Sequence, residues 1–121
     1  MTNEQKIKRI DELESLLLGD WLRDGTTPQM LTFRKPPIAG GFGDIMVWLY
    51  PDKTQHKMLQ YTVTIEDIDG DDNYGYVYLT VLESNSIQTK YSLDYLSSND
   101  GLLTLYDLLR EPLRYGRLKQ K

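Results

Sequence analysis

The feature that most constrains this chain is a change of period near residue 20. Before it, Ile7, Ile10, Leu13 and Leu17 recur every three to four positions while Lys6, Arg9, Glu12 and Glu14 fall elsewhere, which predicts an amphipathic helix with one apolar stripe. Thr2 and Gln5 stand at capping-box spacing, and Gly19 supplies a natural stop. From residue 20 onward the apolar positions alternate two by two in short segments, separated by clusters of Gly, Pro, Asn and Asp. Strands are expected at 20–23, 29–34, 44–50, 57–66, 74–83, 86–95, 102–108 and 113–118.

The links between these segments are too short for the crossover helices that parallel strands need, so the sheet is expected to be antiparallel. A run of sequential hairpins leaves two open edges, and closure into an up-and-down barrel removes both. The predicted architecture is a single mostly β domain over 1–121, a helix over 1–19 followed by an antiparallel meander of about eight strands over 20–118. An open curved sheet wrapped around the helix, as in cystatin-like domains, is the alternative, and it needs fewer strands. The glycine-rich segment 36–43 reads as a mobile loop at one rim.

At 121 residues such a domain buries enough surface to need no staple, and the chain has no cysteine. Thiolate nucleophiles, disulfides and cysteine-based metal sites are thereby excluded. The net charge of −4 disfavours a general attraction to phosphate backbones, and the C-terminal basic cluster Arg110, Arg114, Arg117, Lys119 and Lys121 reads as a solvated edge rather than a nucleic-acid patch. The N-terminus lacks a signal-peptide core and no run is long and apolar enough to span a membrane, so a cytoplasmic location is expected.

The acidic run Glu66, Asp67, Asp69, Asp71 and Asp72 invites a calcium reading, but an EF-hand loop from Asp67 would need glycine sixth and glutamate twelfth, where Asp72 and Tyr78 stand. The run reads instead as a polar turn. His56 is the only histidine, which excludes a two-histidine metal site, and it falls in an expected loop. Gly40-Gly41-Phe42-Gly43 lacks the lysine and following helix of a phosphate-binding loop. The titratable groups fall in turns and on polar strand faces, not in apolar settings where catalytic groups are tuned, so no catalytic residue, metal or cofactor is expected and the chain is read as non-enzymatic.

Nine tyrosines are the more informative supply. Tyr74, Tyr76 and Tyr78 form one period-two stripe, Trp48 and Tyr50 another, and Tyr91 and Tyr95 a third. Such rings either pair across strands to hold the sheet or line a cavity or partner surface. In the expected fourth strand Leu59, Tyr61, Val63 and Ile65 oppose Gln60, Thr62, Thr64 and Glu66; in the sixth Ile87, Thr89, Tyr91, Leu93 and Tyr95 oppose Gln88, Lys90, Ser92 and Asp94.

The junction Leu16–Trp21, reading LLLGDW, ends the helix and opens the first strand with Gly19-x-Trp21. It resembles the GxW opening of lipocalin-like and wider calycin barrels. The resemblance implies that Trp21 plugs one end of a barrel and that an arginine of the last strand, Arg114 or more fittingly Arg117, packs over it. It covers the chain as topology, while the motif itself is three residues. The chain departs from secreted lipocalins in lacking their disulfide and C-terminal helix, and from intracellular fatty-acid carriers in lacking the helix pair after the first strand.

Two functions follow as expectations. One is a carrier whose inward residues Trp48, Leu59, Tyr61, Val63, Tyr91 and Leu93 enclose one small hydrophobic ligand. The other is a non-catalytic interaction module that binds a protein partner through Tyr74, Tyr76 and Tyr78.

Overall fold

The computed structural model describes residues 1–23, 29–49, 54–83, 87–97, 101–106 and 113–117, with the backbone alone at 55, 56, 94, 95, 97 and 117. Helix α1 (Asn3–Leu17) starts as expected: the Thr2 hydroxyl accepts from the Gln5 amide at 3.2 Å while the Gln5 side chain accepts from the Thr2 amide at 2.8 Å. Its buried face is Ile10, Leu13, Glu14 and Leu17, so the expected stripe holds at Ile10, Leu13 and Leu17 and is corrected at Ile7 and Glu14. Ile7 lies 54% exposed and Glu14 takes the inward place, because positions 10, 13, 14 and 17 share one face at 3.6 residues per turn.

Eight antiparallel strands follow: β1 (Gly19–Arg23), β2 (Gln29–Phe33), β3 (Gly43–Leu49), β4 (Thr54–Ile68), β5 (Asp71–Leu82), β6 (Gln88–Ser97), β7 (Leu102–Tyr106) and β8 (Leu113–Arg117). Each pairs with its neighbours in sequence, and β8 pairs back onto β1 with Trp21 opposite Arg117 and Arg23 opposite Tyr115, closing the barrel. No sheet edge is left open.

The longest hairpin, β4–β5, runs through the acidic segment that the sequence marked as a turn. Only Asp69 and Gly70 make the turn, with Gly70 at φ 80, a conformation glycine adopts without strain. The extra residues of β5 are accommodated in an irregularity where the Asp71 carboxylate accepts from the amides of Asn73 at 2.9 Å and Tyr74 at 3.2 Å. His56, expected in a loop, falls within β4 beside the irregularity between Val47 and Trp48.

The helix lies across one end of the barrel. Leu13 and Leu17 join Trp21, Phe33, Tyr61, Val63 and Leu103 in a continuous buried core. Lys6 reaches Asp67 of β4 at 3.1 Å, and Lys35 reaches Asp11 at 2.7 Å and the Ser15 hydroxyl at 3.1 Å, so the segment between β2 and β3 is tied to the helix rather than standing apart as a rim loop. The Tyr61 ring meets Phe33 edge-on at 5.2 Å and donates its hydroxyl proton to the Arg34 carbonyl at 2.8 Å. Tyr61 also lies directly over Gly43, where a Cβ would stand 2.6 Å from both the ring and the Arg34 carbonyl oxygen. Gly43→Ala is accordingly expected to cost about 1–3 kcal/mol, the range for overpacking a filled core, read as a lowered urea midpoint.

Candidate functional site

The closed register sends one residue set inward: Trp21 and Arg23 of β1, Leu31 and Phe33 of β2, Ile45 and Val47 of β3, and so around to Tyr115 of β8. Near the helix this set is packed solid. Toward the opposite end, where Arg23, Gln29, Lys57, Glu83 and Thr89 ring the opening, it leaves a cavity of about 170 Å³. Leu31, Leu59, Leu79, Val81, Leu105 and Leu113 supply its apolar walls. The hollow follows from side-chain volume: Trp21, Tyr61 and Phe33 fill the helix end, whereas the smaller aliphatic Leu and Val dominate the other.

Polar groups gather at the mouth. Lys57 on β4 and Glu83 just beyond β5 approach to 3.5 Å, both partly exposed, so their charges offset one another. Arg23 forms no ion pair among the described residues and faces Tyr115 across the β1–β8 ladder. Tyr115 is only 7% exposed, and its hydroxyl has no hydrogen-bond partner among the described residues. Burial pushes the Tyr115 phenol above its ordinary value, the Arg23 charge opposing this and Tyr91 adding to it, so the hydroxyl stays a proton donor at neutral pH. Tyr91 completes the wall between Leu79 and the mouth.

Of the residues expected to touch a ligand, Leu59 and Tyr91 line this cavity. Tyr61 and Val63 are fully buried deeper in the packed end, and Leu93 packs against the same core. Trp48 must be corrected: it stands on the outer wall, its indole N–H donating to the Thr32 hydroxyl at 3.0 Å, which in turn donates to Asp20 at 2.6 Å. Strand β3 is apolar on both faces, so period two could not tell Ile45 and Val47, which point inward, from Met46 and Trp48. Trp21 takes the plugging position, with the Arg117 backbone opposite it; the Arg117 side chain lies outside the described residues.

The strand β5 stripe also faces outward. Tyr74 is 70% and Tyr76 56% exposed, while Tyr78 lies under the Lys90 ammonium, 4.0 Å from the ring centre. A second hollow of about 290 Å³ sits at the helix-capped end, between Met1 and Arg9 of the helical side and Tyr74, Gly75 and Val77 of β5. Ile65 and Val77, which belong to the core side of the β4–β5 hairpin, form its floor. In the C-terminal basic cluster Arg114 is exposed, whereas Arg110, Lys119 and Lys121 lie outside the described residues, as does Tyr50. Among the described residues no helix is long and apolar enough to cross a membrane.

Arg23 and Tyr115 were not singled out from the sequence. The signal was available: once Trp21 is taken as inward, alternation puts Arg23 on the same face, and a charged residue on the inner face of a barrel strand marks a polar place in the lumen. Compared with known proteins, the chain matches no family model, no curated protein and no solved structure, so its site is characterised by its own walls.

Proposed function

We propose that this chain is a non-enzymatic binding protein, a lipocalin-like barrel that holds one small, largely apolar ligand in the cavity opposite the helix. The observation that carries the reading is the asymmetry of the lumen: one end is sealed by Trp21, Tyr61 and the helix, while the other holds about 170 Å³ walled by leucine and valine and open to solvent. Binding sites of this kind are concave and mostly apolar, with a few convergent polar groups, which is the composition of this mouth. An engineered apolar cavity of roughly 150 Å³ suffices for benzene, so a ligand with one ring is matched in size. The charged pair at the mouth is partly exposed, an environment that suits selection of a ligand better than tuning of a catalytic group.

Titrating ¹⁵N-labelled protein with 3-phenylpropan-1-ol is expected to shift the amides of Leu31, Leu59, Val81 and Tyr91 together and saturably. Leu59→Trp, which fills the cavity with indole, is expected to abolish those shifts while leaving the rest of the spectrum folded. A spectrum unmoved by the alcohol, or shifts confined to the outer face around Tyr74 and Tyr76, would rule the carrier reading out.

The exposure of Tyr74 and Tyr76 favours a second reading, a protein-interaction surface on β5. Under it, Tyr76→Asp would weaken a partner without lowering the melting temperature.

A further inference from the structure

The polar groups of the cavity are arranged unequally, and this narrows the ligand. Among the described residues the mouth carries two cations and one anion, Arg23, Lys57 and Glu83, within a chain whose net charge is −4. Lys57 and Glu83 are spent on each other at 3.5 Å. Among the described residues Arg23 therefore presents one positive charge over the opening that no ion pair neutralises. Directly beside it in the β1–β8 ladder, Tyr115 is nine-tenths buried and lines the same cavity, with a hydroxyl that has no protein partner among the described residues. A phenol hydroxyl on the wall of an open cavity is available to donate to what the cavity holds.

Resting on the carrier reading, we propose that the cavity takes a compact aromatic monoacid, its ring against Leu31, Leu59 and Leu113 and its acid group held by the Arg23 guanidinium and the Tyr115 hydroxyl. A guanidinium and a phenol together present donors that a carboxylate accepts, and a charge-assisted hydrogen bond is the strong kind. The cation count among the described residues favours a monoanion: there a doubly charged phosphate would meet one free cation and would stand near Glu83. The cavity volume favours a single ring with a short arm over a long acyl chain, because the packed end formed by Trp21, Phe33 and Tyr61 stops the lumen halfway. Tyr91 offers an aromatic wall on which a ring sits edge-on or offset.

The test compares 3-phenylpropionate with its neutral analogue 3-phenylpropan-1-ol by calorimetry at pH 7 and low salt. The acid is expected to bind about tenfold more tightly, the scale of a hydrogen bond to a charged group. Arg23→Gln, a change at an exposed side chain, should erase that difference, the acid losing about tenfold more affinity than the alcohol. Tyr115→Phe, which removes only the hydroxyl, should weaken the acid several-fold more than the alcohol. Equal binding of acid and alcohol by the unmodified protein, or an equal loss of both in Arg23→Gln, overturns the acid-binding proposal while the carrier reading stands. Failure of both compounds to bind overturns the two together.

Discussion

Trp21→Ala is expected to lower the stability of this domain by about 3–5 kcal/mol, the range for deleting a large buried aromatic ring. Against the roughly 5–15 kcal/mol that holds a domain of this size folded, the loss approaches unfolding at ambient temperature. Two separate contributions meet at this residue. The indole is fully buried at the point where helix, β1 and β8 converge, so no neighbour can relax fully into the space it leaves. Its N–H also donates to the Leu17 carbonyl at 2.8 Å, satisfying one of the last helical carbonyls just where Gly19, at φ 110, turns the chain into the barrel. Trp21→Phe separates the two: it retains most of the ring and abandons the carbonyl, and is expected to cost about 1–3 kcal/mol, the price of an unsatisfied buried acceptor. Urea unfolding followed by circular dichroism gives both numbers. A Trp21→Ala midpoint within the error of the parent protein would mean that the helix end of the barrel is not the packed plug described here.

The closed barrel was legible because two independent constraints agreed: links too short for crossovers and a strand count that leaves edges to be hidden. Strand β4 disclosed its inner face because Gln60, Thr62 and Glu66 contrast sharply with Leu59, Tyr61 and Val63. Where that contrast failed, so did the assignment. Trp48 was placed inside because both faces of β3 are apolar, and only pairing with β2 and β4 decides between them. In β6 the alternation is interrupted between Leu93 and Tyr95, so that Leu96, rather than Tyr95, pairs with the inward Leu103. An irregularity of this kind shifts the phase of everything after it and leaves no mark in the residue types. The acidic run misled in the opposite sense: aspartates on the exposed part of a hairpin incur no desolvation, so they tolerate strand geometry as well as a turn. The cavity itself is a statement about volumes summed across eight strands, which no single segment carries. Its mouth residues were one alternation away from Trp21, and were missed because arginine and tyrosine read as solvent-facing when each strand is taken alone.

Glu14→Met is expected to raise stability at pH 7 by about 1–3 kcal/mol, the cost of burying a polar group without a partner. Glu14 belongs to the helix's buried face, with both carboxylate oxygens lacking a hydrogen-bond partner among the described residues. Burial raises its carboxyl above the ordinary value of 4.5; the Gly40 backbone and the Lys35 charge pull it down, and Asp11 adds to the rise. The sign follows from proton counting. Just above pH 4.5 the folded state still holds a proton that the unfolded chain has released, so stability declines as pH rises through the raised value, and the whole penalty stands once the folded carboxyl is ionised. Glu14→Met removes the ionisable group while keeping side-chain length, so the variant should gain most at neutral pH and little below pH 4.5. Glu14→Gln, which still buries two polar atoms, should gain less. Melting curves of the three proteins between pH 4 and pH 8 would decide it: parallel pH profiles for the parent and Glu14→Met would show that the buried carboxylate does not govern the stability of the helix cap.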